Sequence, residues 1–272
     1  MEGAMFGMLV RTAGPLGEAQ SLIYRACEEK NPERRIEMAF EAIRISPDCA
    51  DAFVLLAEEA PTLDEAMELY GMGVEAGERA IGEKRFEEDA GHFWGVLETR
   101  PYMRARLGLA QCLWLAGGRE QAVDNCQHML RLNPNDNQGV RSILMTWLLE
   151  LRRNAEAAAL LEQYDEDASA QWGYAAALLE FRKKGDTPAS RKLLKKAFQA
   201  NRHVPDYLLG RRKTPRRLPE YVGFGDEDEA VAYAAESLDA WRETPGAREW
   251  LDEGDRAIVL CNRAAHEGRR PK

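Results

Sequence analysis

The sequence has few of the residues that metal and redox centres need. Its 272 residues include four histidines, His92, His128, His203 and His266, and five cysteines, none of them in a C-x-x-C pair. An odd number of scattered cysteines reads as reduced thiols in a reducing compartment, so a cytoplasmic location is expected. No apolar run reaches the length of a membrane span. The start, "MEGAMFGMLVRTAGPLGE", lacks the basic region and sustained apolar run of a signal peptide. There is no phosphate-cradling G-x-x-x-x-G-K-[ST], no H-E-x-x-H and no G-x-S-x-G, so the usual signatures of nucleotide, zinc-protease and serine-hydrolase chemistry are missing. Positive charge is also in deficit: 37 Lys and Arg against 46 Asp and Glu give a net charge of −9. Broad contact with nucleic acid or an anionic membrane is disfavoured, although a local basic patch can override that field.

What is present is helical periodicity. In "YMRARLGLAQCLWLAGGREQAVDNCQHMLRLNPND", Leu107, Ala110, Leu113 and Trp114 recur at helix spacing, followed by Ala122, Cys126, Met129 and Leu132. Gly117 and Gly118 break the pattern where a left-handed turn ends the first helix. Asn133 and Pro134 end the second. The unit resembles a tetratricopeptide repeat, a helical hairpin of about 34 residues. The next begins one period after Met103, at Asn137, with Ala157 in its small position, and a third carries Trp172, Ala176 and Ala197. Upstream, Asn31 and Pro32 mark a helix start, and "ADAFVLLAEEAPTLDEAMELYGMGVEAGERA" reads as a shortened pair.

The expected fold is all-α: a tetratricopeptide-like, right-handed solenoid of helical hairpins with a C-terminal capping segment. Residues 1–16 read as a flexible N-terminus and 17–201 as the repeats, with an insertion near 76–102. Residues 202–225 read as a Pro/Gly/Arg-rich connector and 226–272 as a helical cap and tail. Asp226, with Glu229 three residues on, is the expected cap of the cap's first helix.

Five stretches resemble the suppressor-of-tumorigenicity-7 family, in that family's order: "SPDCADAFVLLAEEA", "LLELRRNAEAAALLEQYDED", "YAAALLEF", "FQANRHVPDYLLG" and "GDEDEAVAYAAESLDAWRETPGA". They span roughly residues 44 to 250. The resemblance implies a helical-repeat scaffold and supplies no catalytic residues. Animal members carry membrane-spanning segments ahead of this region, so a soluble relative is expected. "GHFWGVLETRP" matches the family weakly and is free to have its own role.

In tetratricopeptide solenoids the first helices line a concave groove. That register puts Arg104, Leu107, Gln111 and Trp114, then Gln138, Arg141 and Met145, on the groove, with Asp51, Val54 and Glu58 in the early pair. The Lys and Asn set of a chaperone-tail clamp is not there. Arginine beside apolar side chains suits an acidic-amphipathic peptide instead. The expected function is a non-enzymatic scaffold that binds a protein or peptide, without cofactor, metal or nucleic acid. The groove is alternatively covered by the chain's own C-terminal segment.

Secondary candidates are His92, Trp94 and Arg100 in the insertion and Arg211 and Arg216 in "RRKTPRR". That basic run reads either as a phosphate or acidic-tail dock or as a solvated loop. Glu88 and His92, four apart, would share a helix face and support a metal-assisted or small-ligand enzyme with Trp94. Self-association as a homo-oligomer is a third reading.

Overall fold

The computed structural model describes residues 14–219 and 221–267, and among these it holds only helices and turns. Capping fixes where several helices start. The Asn31 side chain accepts from the Glu33 and Arg34 amides, with Pro32 in the first turn. Thr62 accepts from Glu65 N, Thr187 and Ser190 form a reciprocal capping box, and Asp226 accepts from Glu229 N. Each satisfies amides that the helix itself leaves open.

The chain divides into two compact units, the first ending at Arg141 and the second beginning at Ser142. The first holds α1 (Pro15–Glu28), α2 (Pro32–Ile45), α3 (Ala50–Glu58), α4 (Leu63–Glu88), α5 (Arg100–Leu115) and α6 (Arg119–Leu132). Consecutive helices pack as hairpins, and the first helices of successive hairpins, α1, α3 and α5, also pack side by side. This is the tetratricopeptide arrangement, in which each hairpin buries its apolar face on the next.

Glycines let α4 approach α5. A Cβ added at Gly77 would lie 2.8 Å from the Tyr102 Cβ, and one at Gly108 would strike the Tyr70 ring. The second helix of the early pair is not short: α4 runs for 26 residues, with a non-helical break at Gly82, and enters the stretch read as an insertion. After it, two 3₁₀ turns (Phe93–Gly95 and Leu97–Thr99) fold back. Phe93 is fully buried and packs on Phe86 and Tyr102. Gly91 N donates to the Leu132 carbonyl at 2.9 Å.

The second unit begins just inside α7 (Val140–Glu150) and continues through α8 (Asn154–Gln163), α9 (Ala170–Lys184), α10 (Pro188–Ala200), α11 (Val204–Leu208), α12 (Glu227–Arg242) and α13 (Ala247–Glu267). Its core is aromatic: Tyr174, Tyr233 and Trp241 meet in it, and Trp250 stacks on Phe181 at 4.5 Å. The C-terminal helices α12 and α13 pack on α9 and α10. The Glu229 carboxylate is buried and accepts from Ala170 N (2.8 Å), Asn201 Nδ2 (2.9 Å) and Gly225 N (2.7 Å). It therefore ties together the segments "FQANRHVPDYLLG" and "GDEDEAVAYA". The expected connector contains the helical turn α11, whose Val204, Pro205, Tyr207 and Leu208 are buried.

Candidate functional site

The first helices of the first unit enclose a cavity of about 430 Å³. Ile23, Tyr24 and Cys27 come from α1, Asp51, Val54, Leu55 and Glu58 from α3, Trp94 and Leu97 from the 3₁₀ turns, and Arg100 and Arg104 from α5. The walls are mostly apolar and the charges are few and placed. An apolar cavity with a few convergent polar groups has the make-up of a candidate site.

Asp51 anchors the floor. Its side chain is 7% exposed. It accepts from Arg104 Nε at 2.8 Å and from Gln20 Nε2 at 2.7 Å, and Arg104 Nη2 completes a two-pronged pair. Burial works against the Arg104 charge, and the hydrogen bonds to Asp51 outweigh it, so its pKa is raised. At the rim, Arg100 Nε donates to the Trp94 carbonyl at 2.8 Å, and its guanidinium carbon lies 5.3 Å from the Trp94 ring centroid. No carboxylate forms an ion pair with Arg100 among the described residues.

Burial pushes the Tyr24 phenol, the Cys27 thiol and the Glu58 carboxyl upward, and the Asp51 charge adds to each shift. The cavity thus disfavours a new anion near Asp51, while Arg100 favours one at the rim. Cys27 stays a thiol and is no activated nucleophile. Its residue is partly open to solvent, whereas Cys49, Cys112 and Cys126 are buried.

The predicted residues are dispersed. Arg104, Arg100 and Trp94 reach the cavity, together with Asp51, Val54 and Glu58. Leu107, Gln111 and Trp114 lie further along α5 and do not line it. Trp114 lies under the Arg119 guanidinium, at 4.7 Å. Gln138 is half-buried, and Arg141 lies 3.7 Å from the Asp136 carboxylate. Met145 is fully buried, and α7 is buried from Leu144 through Leu149, so Met145 presents no open face. His92 is exposed outside the cavity.

The shared face of Glu88 and His92 is corrected too. The helix ends at Glu88, and His92 caps a 3₁₀ turn with φ −133° and ψ 15°, so i,i+4 spacing does not apply. Among the described residues no group of three His, Cys, Asp or Glu side chains is placed to hold a metal ion. Arg211 pairs with Asp206, Asp252 and Asp255, whereas Arg216 is exposed.

The residues that sequence reasoning missed are Ile23, Tyr24, Cys27, Leu55 and Leu97. A repeat register extended one hairpin upstream would have found those on α1. No periodic signal marks Leu97, because 3₁₀ turns have none.

Comparison with known proteins adds the relatives. The family described as ST7 protein matches residues 8–255. The suppressor of tumorigenicity 7 protein-like of Bos taurus is 31% identical over 259 residues, covering 87% of this chain and 46% of that protein. The Danio rerio protein of the same description is 32% identical over 251 residues, 85% of this chain and 43% of its own. The chain thus spans about half the length of the curated relatives it matches. Among solved structures, YrrB, described as a TPR protein with an unusual peptide-binding site, covers 66% of this chain and 85% of its own at 17% identity, with a TM-score of 0.47. No helix among the described residues is long and apolar enough to cross a membrane. With the family matching nearly the whole described chain, the protein belongs to the suppressor-of-tumorigenicity-7 family.

Proposed function

We propose that the chain is a non-enzymatic scaffold that holds a segment of a partner protein in the first-unit cavity. The observation that carries this reading is Arg100: a guanidinium at the rim of an apolar pocket, oriented by the Trp94 carbonyl and ring, with no carboxylate partner among the described residues. The preferred segment is acidic-amphipathic. A large apolar side chain enters between Val54, Leu55, Trp94 and Leu97, and a carboxylate pairs with the Arg100 fork. Arg104 shapes the floor through Asp51 and contacts the partner less. The free thiols suit a cytoplasmic location.

The test is capture of partners from the native cell by the wild type, by Arg100→Glu and by Val54→Phe, which fills the pocket. Both variants should keep the wild-type melting temperature within a few degrees and lose the same set of partners. A partner set unchanged in both variants rules the cavity out.

A further inference from the structure

The basic run "RRKTPRR" leads into a cluster of exposed apolar residues of the second unit, and the two belong to one loop. Its base is clamped. Arg211 pairs with Asp206, Asp252 and Asp255, and Arg212 pairs with Glu227 and donates its amide to the Asp206 carbonyl at 2.9 Å. On the far side, Gly223 N donates to Asp226 Oδ2 at 3.0 Å and Gly225 N to Glu229. Beyond the clamp the described residues of the loop are mostly exposed. Tyr221 and Phe224 are each 87% exposed, and Leu218 and Val222 are about half exposed. Lys213 and Arg216 are exposed and make no ion pair among the described residues. Single exposed apolar residues are ordinary, but four within seven positions, two of them aromatic, form a patch that calls for an occupant.

We propose that this loop docks the protein on an anionic lipid surface. A folded protein partner needs a groove complementary to these side chains, whereas a lipid interface accepts exposed rings without one. Aromatic rings settle at headgroup level, and the exposed Lys213 and Arg216 of the same loop meet acidic headgroups. The net charge of −9 opposes contact by the rest of the chain. Docking is therefore confined to the loop and weakens with salt, since screening acts over about 8 Å at physiological ionic strength.

The test is sedimentation with phosphatidylcholine vesicles, with and without phosphatidylserine. The full chain should bind only the phosphatidylserine vesicles, and less as salt rises. Tyr221→Ser/Phe224→Ser should weaken binding about tenfold, and Lys213→Gln/Arg216→Gln on the order of thirtyfold. Both pairs are exposed, so melting should not change. Leu115→Ser, an exposed apolar residue of the first unit, should bind like the wild type. The proposal is overturned if the wild type ignores phosphatidylserine vesicles at low salt, or if both loop variants bind as well as it does. It is also overturned if the variants change only the solution mass, which would make the loop a contact between copies.

Discussion

At the cavity floor of the first unit, Asp51 and Arg104 pair where a ligand can reach one of them. In the second unit, Arg182 has no carboxylate among the described residues. It donates instead to the Leu149 carbonyl (2.9 Å), the Ala240 carbonyl (3.0 Å), Thr244 Oγ1 (2.9 Å) and Asn154 Oδ1 (3.0 Å). Burial, with the nearby Arg152 charge, pulls its pKa down to about 10, so it stays charged at neutral pH. A half-buried cation bonded to oxygens of two stretches, Leu149–Asn154 and Ala240–Thr244, fixes both against its own helix and commits four of its five N–H donors within the unit. The contrast separates the roles of the two units: one keeps polar groups at an opening, and the other spends them on closure.

The strongest way to break this contrast is at the closed end. Trp241 is fully buried and donates from Nε1 to the Tyr233 hydroxyl at 2.8 Å. Trp241→Ala should cost about 3–5 kcal/mol, read by urea or thermal unfolding. Protein that remains folded should still capture first-unit partners. Loss of partners at full folding would show that the second unit takes part in recognition.

A smaller cost is expected at the cavity floor. Asp51→Ala strands Arg104 and Gln20, but the Arg104 side chain is 35% exposed and water compensates part of the loss. About 2 kcal/mol is expected, below the range for a fully buried pair. A loss as large as that of Trp241→Ala would mean that the floor is core and the opening incidental.

The sequence carried the fold where small residues and caps recur. Ala110, Ala122, Asn31 and Asp226 mark helices at the places where the structure has them. Turn chemistry was legible only in part. Gly117 takes the left-handed conformation (φ 88°) that ends α5, but Arg152 takes the same one (φ 56°) at the end of α7, and no glycine announces it. Helix register assigned Asp51, Val54, Glu58 and Arg104 to one face, because facing positions follow from spacing. It extended that face to Met145, because spacing does not say which faces of a helix other elements cover. The Asp51–Arg104 pair joins residues 53 apart in sequence, and no local pattern encodes such a distance.

The finest distinction between the units is their response to acid. His128, on α6 of the first unit, has its pKa pulled down to about 4 by burial and by the charges of Arg106 and Arg131. Above pH 6.5 the imidazole is neutral in both folded and unfolded chains and contributes no pH dependence. As the pH falls below that value the unfolded chain takes up a proton that the folded one refuses, so stability drops, and the loss is complete below about pH 4. Glu58 and Asp136, which burial raises, shift in the opposite sense and offset part of the decline. The difference between wild type and His128→Gln isolates the histidine: their melting temperatures should separate by a few degrees between pH 7 and pH 4, with the variant losing less. Arg182 titrates far above this window, so Arg182→Gln should leave the acid slope unchanged while lowering stability at every pH. A slope that changes with Arg182→Gln and not with His128→Gln would move acid sensitivity to the closed unit and reverse the contrast.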